Sequence, residues 1–247
     1  MVRRLVTPRW IVVHVAVWSL VVLMVNLGFW QLRRLDEKKI FNASVTARTV
    51  QPIVALDDVL GPSTEPGDVE WRRITVSGTY EPSKAVTIVN RSQDGTAGVD
   101  SLVPLRLADG RVILTSRGFV PLALPVPTAP SGDVTVTGYL RKTQTRSALG
   151  AIDSSNPTAT EFQRFDVQLI GKRIAGQVAP MWIQLSSESP APASDWPARV
   201  PLPELTEGSH LSYAVQWFFF SATALVAWIV VIRRRLAEPH PRPEPIA

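Results

Sequence analysis

The sequence predicts a membrane protein of α+β class: two transmembrane helices flanking an extracytoplasmic, mostly antiparallel β domain (a small barrel or a sheet) with one or two short helices. Three observations predict it. Residues 11–30 and 211–232 are apolar runs, each long enough at about 1.5 Å per residue to cross a hydrocarbon core of ~30 Å. From Trp71 to Leu140 the apolar residues recur with a period of two, the signature of strands. Arginines stand outside both runs, at Arg3, Arg4 and Arg9 before the first and at Arg233, Arg234, Arg235 and Arg242 after the second.

With two spans the termini share a side, and the positive-inside rule puts that side in the cytoplasm. Arg33, Arg34, Lys38 and Lys39 oppose it, partly offset by Asp36 and Glu37. A long loop translocates largely regardless of its charge, so the middle of the chain is expected outside the cytoplasmic membrane. A cleaved signal peptide is the alternative for the first run, but residues 26–31 (Asn-Leu-Gly-Phe-Trp-Gln) offer no small-x-small cleavage site.

In order, residues 1–10 form a cytoplasmic N-terminus and 11–30 the first span. His14 sits near its cytoplasmic edge. Asn26 is a candidate for a bond across to the second helix, and Gly28 allows a helix close approach. Nothing in residues 29–47 breaks a helix, so 31–48 continue as a helical stem. On it Gln31, Arg34 and Lys38 share a face, and Arg33 can pair with Glu37. Trp30 fits an aromatic belt.

Residues 49–187 form the β-rich domain. It opens on a proline-punctuated loop with a helical turn near residues 56–60. Strands are expected at 71–80, 85–90, 99–107, 111–119 and 134–140, and a further one at 181–185. Ala108-Asp109-Gly110 is a hairpin turn, and Gly95 and Gly98 are turn glycines. Residues 161–175 read as a helix with Phe162, Phe165 and Leu169, and Val178 beyond it, facing a core. Five prolines across 188–209 predict an extended tether. Residues 210–232 are the second span, and 233–247 a basic, disordered cytoplasmic tail.

Composition narrows function. The chain has 247 residues, a net charge of +5, three histidines and no cysteine. Disulfides, thiolate metal sites and cysteine nucleophiles are thereby excluded. The excess charge belongs to the membrane flanks, so no nucleic-acid partner is implied. No nucleophile motif or phosphate loop is present, which predicts that the protein is not an enzyme. No metal centre is expected, with one exception. His210 opens the second apolar run, and on a helix it shares a face with Tyr213, Ala214 and Trp217. Such an imidazole could ligate a haem iron, with Arg34 and Lys38 pairing with propionates. Equally, histidine, tyrosine and tryptophan all favour the membrane interface.

Several motifs resemble the surfeit locus protein 1 family. Gly28, Trp30, Gln31, Arg34 and Lys38 reproduce its Gly-x-Trp-Gln-x-x-Arg-x-x-x-Lys pattern. Trp71-Arg72-Arg73-Ile74 with Gly78, then Arg91 and Gly98 before Pro104-Leu105, follow in order. Arg117-Gly118-Phe119-Val120-Pro121 matches its Arg-Gly-Trp-Val-Pro element with Phe in place of Trp. His210-Leu211-Ser212-Tyr213-Ala214-Val215-Gln216-Trp217-Phe218 matches the start of the last helix. Gly208-Ser209 departs from the family, where asparagine often precedes the histidine.

The resemblance implies an assembly factor for haem-A-containing cytochrome c oxidase, binding or presenting haem A to the catalytic subunit. A stable, non-catalytic structural subunit of the oxidase is the alternative. The implied partners are the membrane, the oxidase subunits, especially the haem-bearing one, and haem A synthase. The implied cofactor is transient haem A at His210, with Tyr213, Trp217, Arg34 and Lys38. Gly28, Trp30, Gln31, Ala214 and Arg117 are implied packing or partner-binding residues. The implied location is the bacterial cytoplasmic membrane.

Overall fold

A computed structural model describes residues 6–237 apart from residues 155, 157 and 193. Arg3, Arg4 and residues 238–247, Arg242 among them, lie outside the described residues, whereas residues 233–237, expected in the disordered tail, instead belong to the last helix. Helices α1 (Pro8–Thr49), α2 (Pro66–Val69), α3 (Val167–Gly171) and α4 (His210–Ala237) accompany eight strands. These are β1 (Val54–Ala55), β2 (Arg73–Tyr80), β3 (Val86–Gln93), β4 (Thr96–Leu107), β5 (Val112–Pro121), β6 (Asp133–Lys142), β7 (Glu161–Phe162) and β8 (Val178–Ser189). The chain divides into two compact units, Met1–Ala43 with Leu205–Ala247, and Ser44–Glu204.

The first unit is a pair of apolar helices, each long and apolar enough to cross a membrane. As expected, α1 continues unbroken past the apolar run to Thr49. In α1 the shielded residues include Trp10, His14, Val17, Val21, Met24, Gly28 and Gln31, alternately four and three apart. In α4 His210, Ala214, Trp217, Ser221, Ala224 and Trp228 follow the same spacing. A repeat of 3.5 residues is the pattern of left-handed coiled-coil packing. Small residues let the helices approach: Ala214 and Ser221 are buried, and a Cβ on Gly28 would stand 2.6 Å from the Phe218 ring. Toward the other end His14 meets Trp228 edge-on at 4.7 Å, with Trp10 5.9 Å from each. Asn26 does not bond across to α4; its Nδ2 donates to Val22 O one turn back at 2.8 Å. Arg34, rather than Arg33, pairs with Glu37, at 2.6 Å.

This packing makes Gly28→Glu a severe change. The carboxylate would enter the space of the Phe218 ring in an apolar helix interface, where an unpaired charge is expensive. The variant should accumulate in membranes at several-fold lower level than wild type. Immunoblotting of membrane fractions checks this, and wild-type abundance would refute a tight helix pair.

The second unit is built on one mixed sheet in the order β1-β2-β6-β8-β5-β4-β3-β7. Each strand predicted from the period-two pattern forms, with ends shifted by a few residues. Three pairings are parallel, β1–β2, β3–β7 and β5–β8, and five are antiparallel, so the sheet expected to be mostly antiparallel is a mixed one. It curls where β2 also meets β4 through Gly78–Tyr80 and Leu105–Leu107. It keeps edge strands β1 and β7, and of the two expected forms it is the sheet, not the barrel.

Along β5, successive residues point to opposite faces. Ile113 packs with Ile74, Leu105, Leu140 and Ile183 on one side. Leu114 packs with Ile88, Phe162, Phe165 and Trp182 on the other. Burial on both faces places β5 at the centre of the domain.

Three further expectations change. The helix expected across residues 161–175 is only α3. Glu161 and Phe162 pair with β3 instead, and the Asp166 side chain caps α3 by accepting from Leu169 N at 2.9 Å. Phe162, Phe165 and Leu169 still face the core, as the pattern requires. Likewise, the tether does not start at residue 188. β8 runs to Ser189, and Ala198 exchanges two backbone hydrogen bonds with Phe119, both 2.8 Å. Residues 196–200 are thus a strap on the domain. Gly98 also lies within β4, not in the turn; a Cβ there would stand 2.3 Å from the Phe119 ring. Gly95 and Gly110 are turn glycines at positive φ, as expected.

Candidate functional site

His210 begins α4 after Gly208, which turns the chain at φ +68°. Its Nδ1 lies 2.9 Å from Gln31 Oε1 on α1. Gln31 is the next seam position, three residues beyond Gly28, whose missing side chain lets the helices close. The helix seam therefore delivers the amide to the imidazole. Ser209 O accepts from Tyr213 N at 3.1 Å and from Ser212 Oγ at 2.8 Å, so the first turn of α4 is supported with Gly208-Ser209 ahead of the histidine.

The structure brings together only part of the predicted set. Ala214 is buried and Trp217 half-buried on the seam side of α4, whereas Tyr213 is 48% exposed and off the seam. Trp217 meets Phe220 edge-on at 6.3 Å. Trp30 is exposed. Arg34 is engaged with Glu37, and the Lys38 ammonium sits 5.1 Å above the Phe41 ring. Both are surface interactions, worth on the order of 1 kcal/mol or less, and readily exchanged.

Arg117 lies in the β unit, on β5, and is 2% exposed. Its Nη2 pairs with Glu188 Oε1 at 3.2 Å, and Arg199 Nη2 reaches the same oxygen at 3.3 Å. Tyr80 donates its hydroxyl to Glu188 Oε2 at 3.0 Å. Burial pushes the Tyr80 phenol above its ordinary pKa, and the Glu188 carboxylate pushes it further. Arg199 Nη1 also donates to Arg117 O at 2.7 Å, tying the strap to β5. Arg117 was expected at a packing or partner surface; it is instead the centre of an internal charge cluster. The sequence flagged neither Glu188 nor Arg199, because both fall in the proline-rich stretch read as a tether.

A second polar cluster forms where β3, β4, β6 and β8 come together. Arg91 stands 3.2 Å from Asp100 and over the Phe165 ring. Arg141 stacks on Trp71 at 3.6 Å and donates to Gln184 Oε1 at 2.5 Å. Among the described residues no group of three or more histidines and carboxylates is arranged to hold a metal ion.

Comparison with known proteins covers almost the whole chain. The model of the SURF1 family matches residues 19–222. A SURF1-like protein of Monosiga brevicollis is 28% identical over 238 residues, spanning 89% of this chain and 87% of its own length. A SURF1-like protein of Mycobacterium tuberculosis is 28% identical over 232 residues, spanning 89% and 82%. Surfeit locus protein 1 of Takifugu rubripes is 23% identical over 233 residues, spanning 85% and 93%.

Proposed function

The chain belongs to the SURF1 family, and we propose that it is an assembly factor for a haem-A-containing cytochrome c oxidase that holds haem A at His210 and presents it to the catalytic subunit. The observation that carries this reading is the hydrogen bond between His210 Nδ1 and Gln31 Oε1. A carbonyl oxygen only accepts, so the neutral imidazole that makes this bond is the tautomer with its proton on Nδ1, which leaves the lone pair on Nε2. A ligating imidazole needs that tautomer, and an acceptor at the second ring nitrogen is its usual support.

The residues present therefore fit the group. Haem A, when bound, would supply an iron that an imidazole can ligate. His210 offers Nε2, Gln31 orients the ring, and Trp217 and Tyr213 offer aromatic surface on the same helix. Arg34 and Lys38 would meet the propionates after leaving Glu37 and Phe41. The protein itself carries out no bond-breaking chemistry in this role. Its partners are the oxidase subunits and the haem A synthase that supplies the cofactor.

Co-expression with haem A synthesis tests the reading. The purified wild type should carry a haem A absorption band, and His210→Ala should lose it while still inserting. Gln31→Leu should weaken the band, because the imidazole loses its orientation. A wild type without haem, found stoichiometrically in the mature oxidase, would favour the structural-subunit role.

Membrane placement belongs to the same proposal. Both termini face the cytoplasm of a bacterial cell and the β unit lies outside, a reading supported by the two apolar helices and the arginine asymmetry. Because the chain has no cysteine, Ser83→Cys and Ser131→Cys give clean reporters. An impermeant thiol reagent should label both on spheroplasts. Labelling only after lysis would reverse the topology.

A further inference from the structure

On β4, Ser101 and Val103 border a cavity of about 380 Å³, and their neighbours Asp100 and Leu102 do not. Alternate residues of a strand share a face, so the two side chains point into the space. Thr87, the register partner of Ser101 on β3, and Ala85 two residues before it form a second wall. Val126, Pro127 and Ala129, in the loop after β5, form the third. Arg117 Nη1 donates to Pro127 O and Thr128 O, both at 3.4 Å, which ties that loop to the internal charge cluster. The cavity is therefore preformed. Ser101, Val103 and Ala129 are buried at its floor, and Val126 and Glu161 are exposed at its rim.

Ser101 is only 2% exposed, and among the described residues its hydroxyl has no hydrogen-bond partner. Thr115 Oγ1 is also unpartnered, but it is sealed in the core. The Ser101 hydroxyl is not sealed, and the space it opens on is the cavity. A hydroxyl carries one donor and two lone pairs, so one polar group brought to the floor satisfies it. Thr87 Oγ1 donates to Thr160 O at 3.4 Å, which leaves its lone pairs for a donor.

The rest of the lining sets the class of ligand. Among the described residues no aromatic ring and no lysine, arginine or histidine borders the cavity. An aliphatic wall fits a chain rather than a stacked ring. Without a cation, and with Glu161 at the rim, an anion is disfavoured. At roughly 30 Å³ each, the space holds on the order of ten non-hydrogen atoms.

We infer that this cavity is a binding site for a neutral aliphatic chain of that size ending in a hydroxyl or primary amide. The head group accepts from Ser101 Oγ and donates to Thr87 Oγ1, and the chain lies among Ala85, Val103 and the Val126–Ala129 wall. The site lies within the β unit, and it takes its ligand whether or not His210 holds haem A.

1-Hexanol is the probe and hexanoate its charged counterpart. Each is titrated into the full chain in lipid nanodiscs, with labelled alanine and valine methyl groups followed by NMR. Partition into lipid does not move the methyl groups of Ala85, Val103, Val126 and Ala129, so their shifts report the cavity alone. In wild type they should shift and saturate at millimolar 1-hexanol, with hexanoate at least tenfold weaker. Ser101→Ala should weaken 1-hexanol about fivefold, the value of one neutral hydrogen bond. Ala85→Leu, which fills the space, should abolish saturable binding. Three results would overturn the proposal: no saturable shift in wild type, hexanoate binding as tightly as 1-hexanol, or unchanged 1-hexanol affinity in either variant. Should Ser101→Ala fail to fold, Ala85→Leu and the hexanoate comparison still decide.

Discussion

Glu188→Ala should destabilise the β unit by about 3–5 kcal/mol, the range for breaking a buried ion pair from one side. The Glu188 side chain is completely buried, and Arg117 is almost so. Removing the carboxylate leaves the Arg117 guanidinium with only the carbonyls of Pro127 and Thr128, both at 3.4 Å. The same change strips Arg199 and the Tyr80 hydroxyl of their acceptor. Chemical denaturation of the full chain in detergent should show the loss as a lower midpoint. Arg117→Met combined with Glu188→Leu should recover much of it, because replacing both charges removes the desolvation cost of each. A double variant as unstable as the sum of the singles would show that the charges do not act as a pair.

Gly118→Ala is the second large effect, of roughly 3–5 kcal/mol when left-handed strain is added to lost hydrogen bonds at ~1 kcal/mol each. Gly118 has φ +131°, and a Cβ there would lie 2.1 Å from Ala198 O. That oxygen is the acceptor for Phe119 N, so the methyl group and the strap cannot both be accommodated. Once the strap lifts, the Arg199 bonds to Arg117 O and Glu188 go with it. Hydrogen exchange is the direct readout. The amides of Phe119 and Ala198 should exchange slowly in wild type and rapidly in the variant, and unchanged protection would contradict the strap's role.

The strands were legible because each alternates against a core on at least one face, and the hairpin at Asp109-Gly110 because glycine supplies the positive φ. Residues 161–175 misled for a physical reason. Phe162, Phe165 and Leu169 stand at helical spacing, yet Phe162 is placed by β3 and Phe165 by its stack on Trp182. Tertiary contacts can satisfy a three-residue spacing without a helix. The strap was hidden by its prolines, which exclude ladder donors but not docking through Ala198 and Arg199. The heptad seam between α1 and α4 was hidden for the opposite reason. Both helices are apolar almost all round, so the buried stripe has no polar face to stand out against. At the candidate site, the placing of Gln31 near α4 followed from Gly28, whereas its direct bond to His210 required the seam register. The charge cluster of Arg117, Glu188, Arg199 and Tyr80 joins residues far apart in the chain and carries no local signal.

The central position of β5 has a consequence for the order in which the domain can be made. Its neighbours are β4, which precedes it directly, and β8, which ends at Ser189. A chain emerging from its N-terminus can form the β4–β5 hairpin early. The other edge of β5, and the apolar residues that β8 will cover, stay uncovered until nearly the whole domain has followed. An unpaired apolar edge is a template for association with other chains. The interval between synthesis of Pro121 and of Val178 is therefore when this protein is most exposed to aggregation, and a chain stopped short of β8 would remain permanently in that condition.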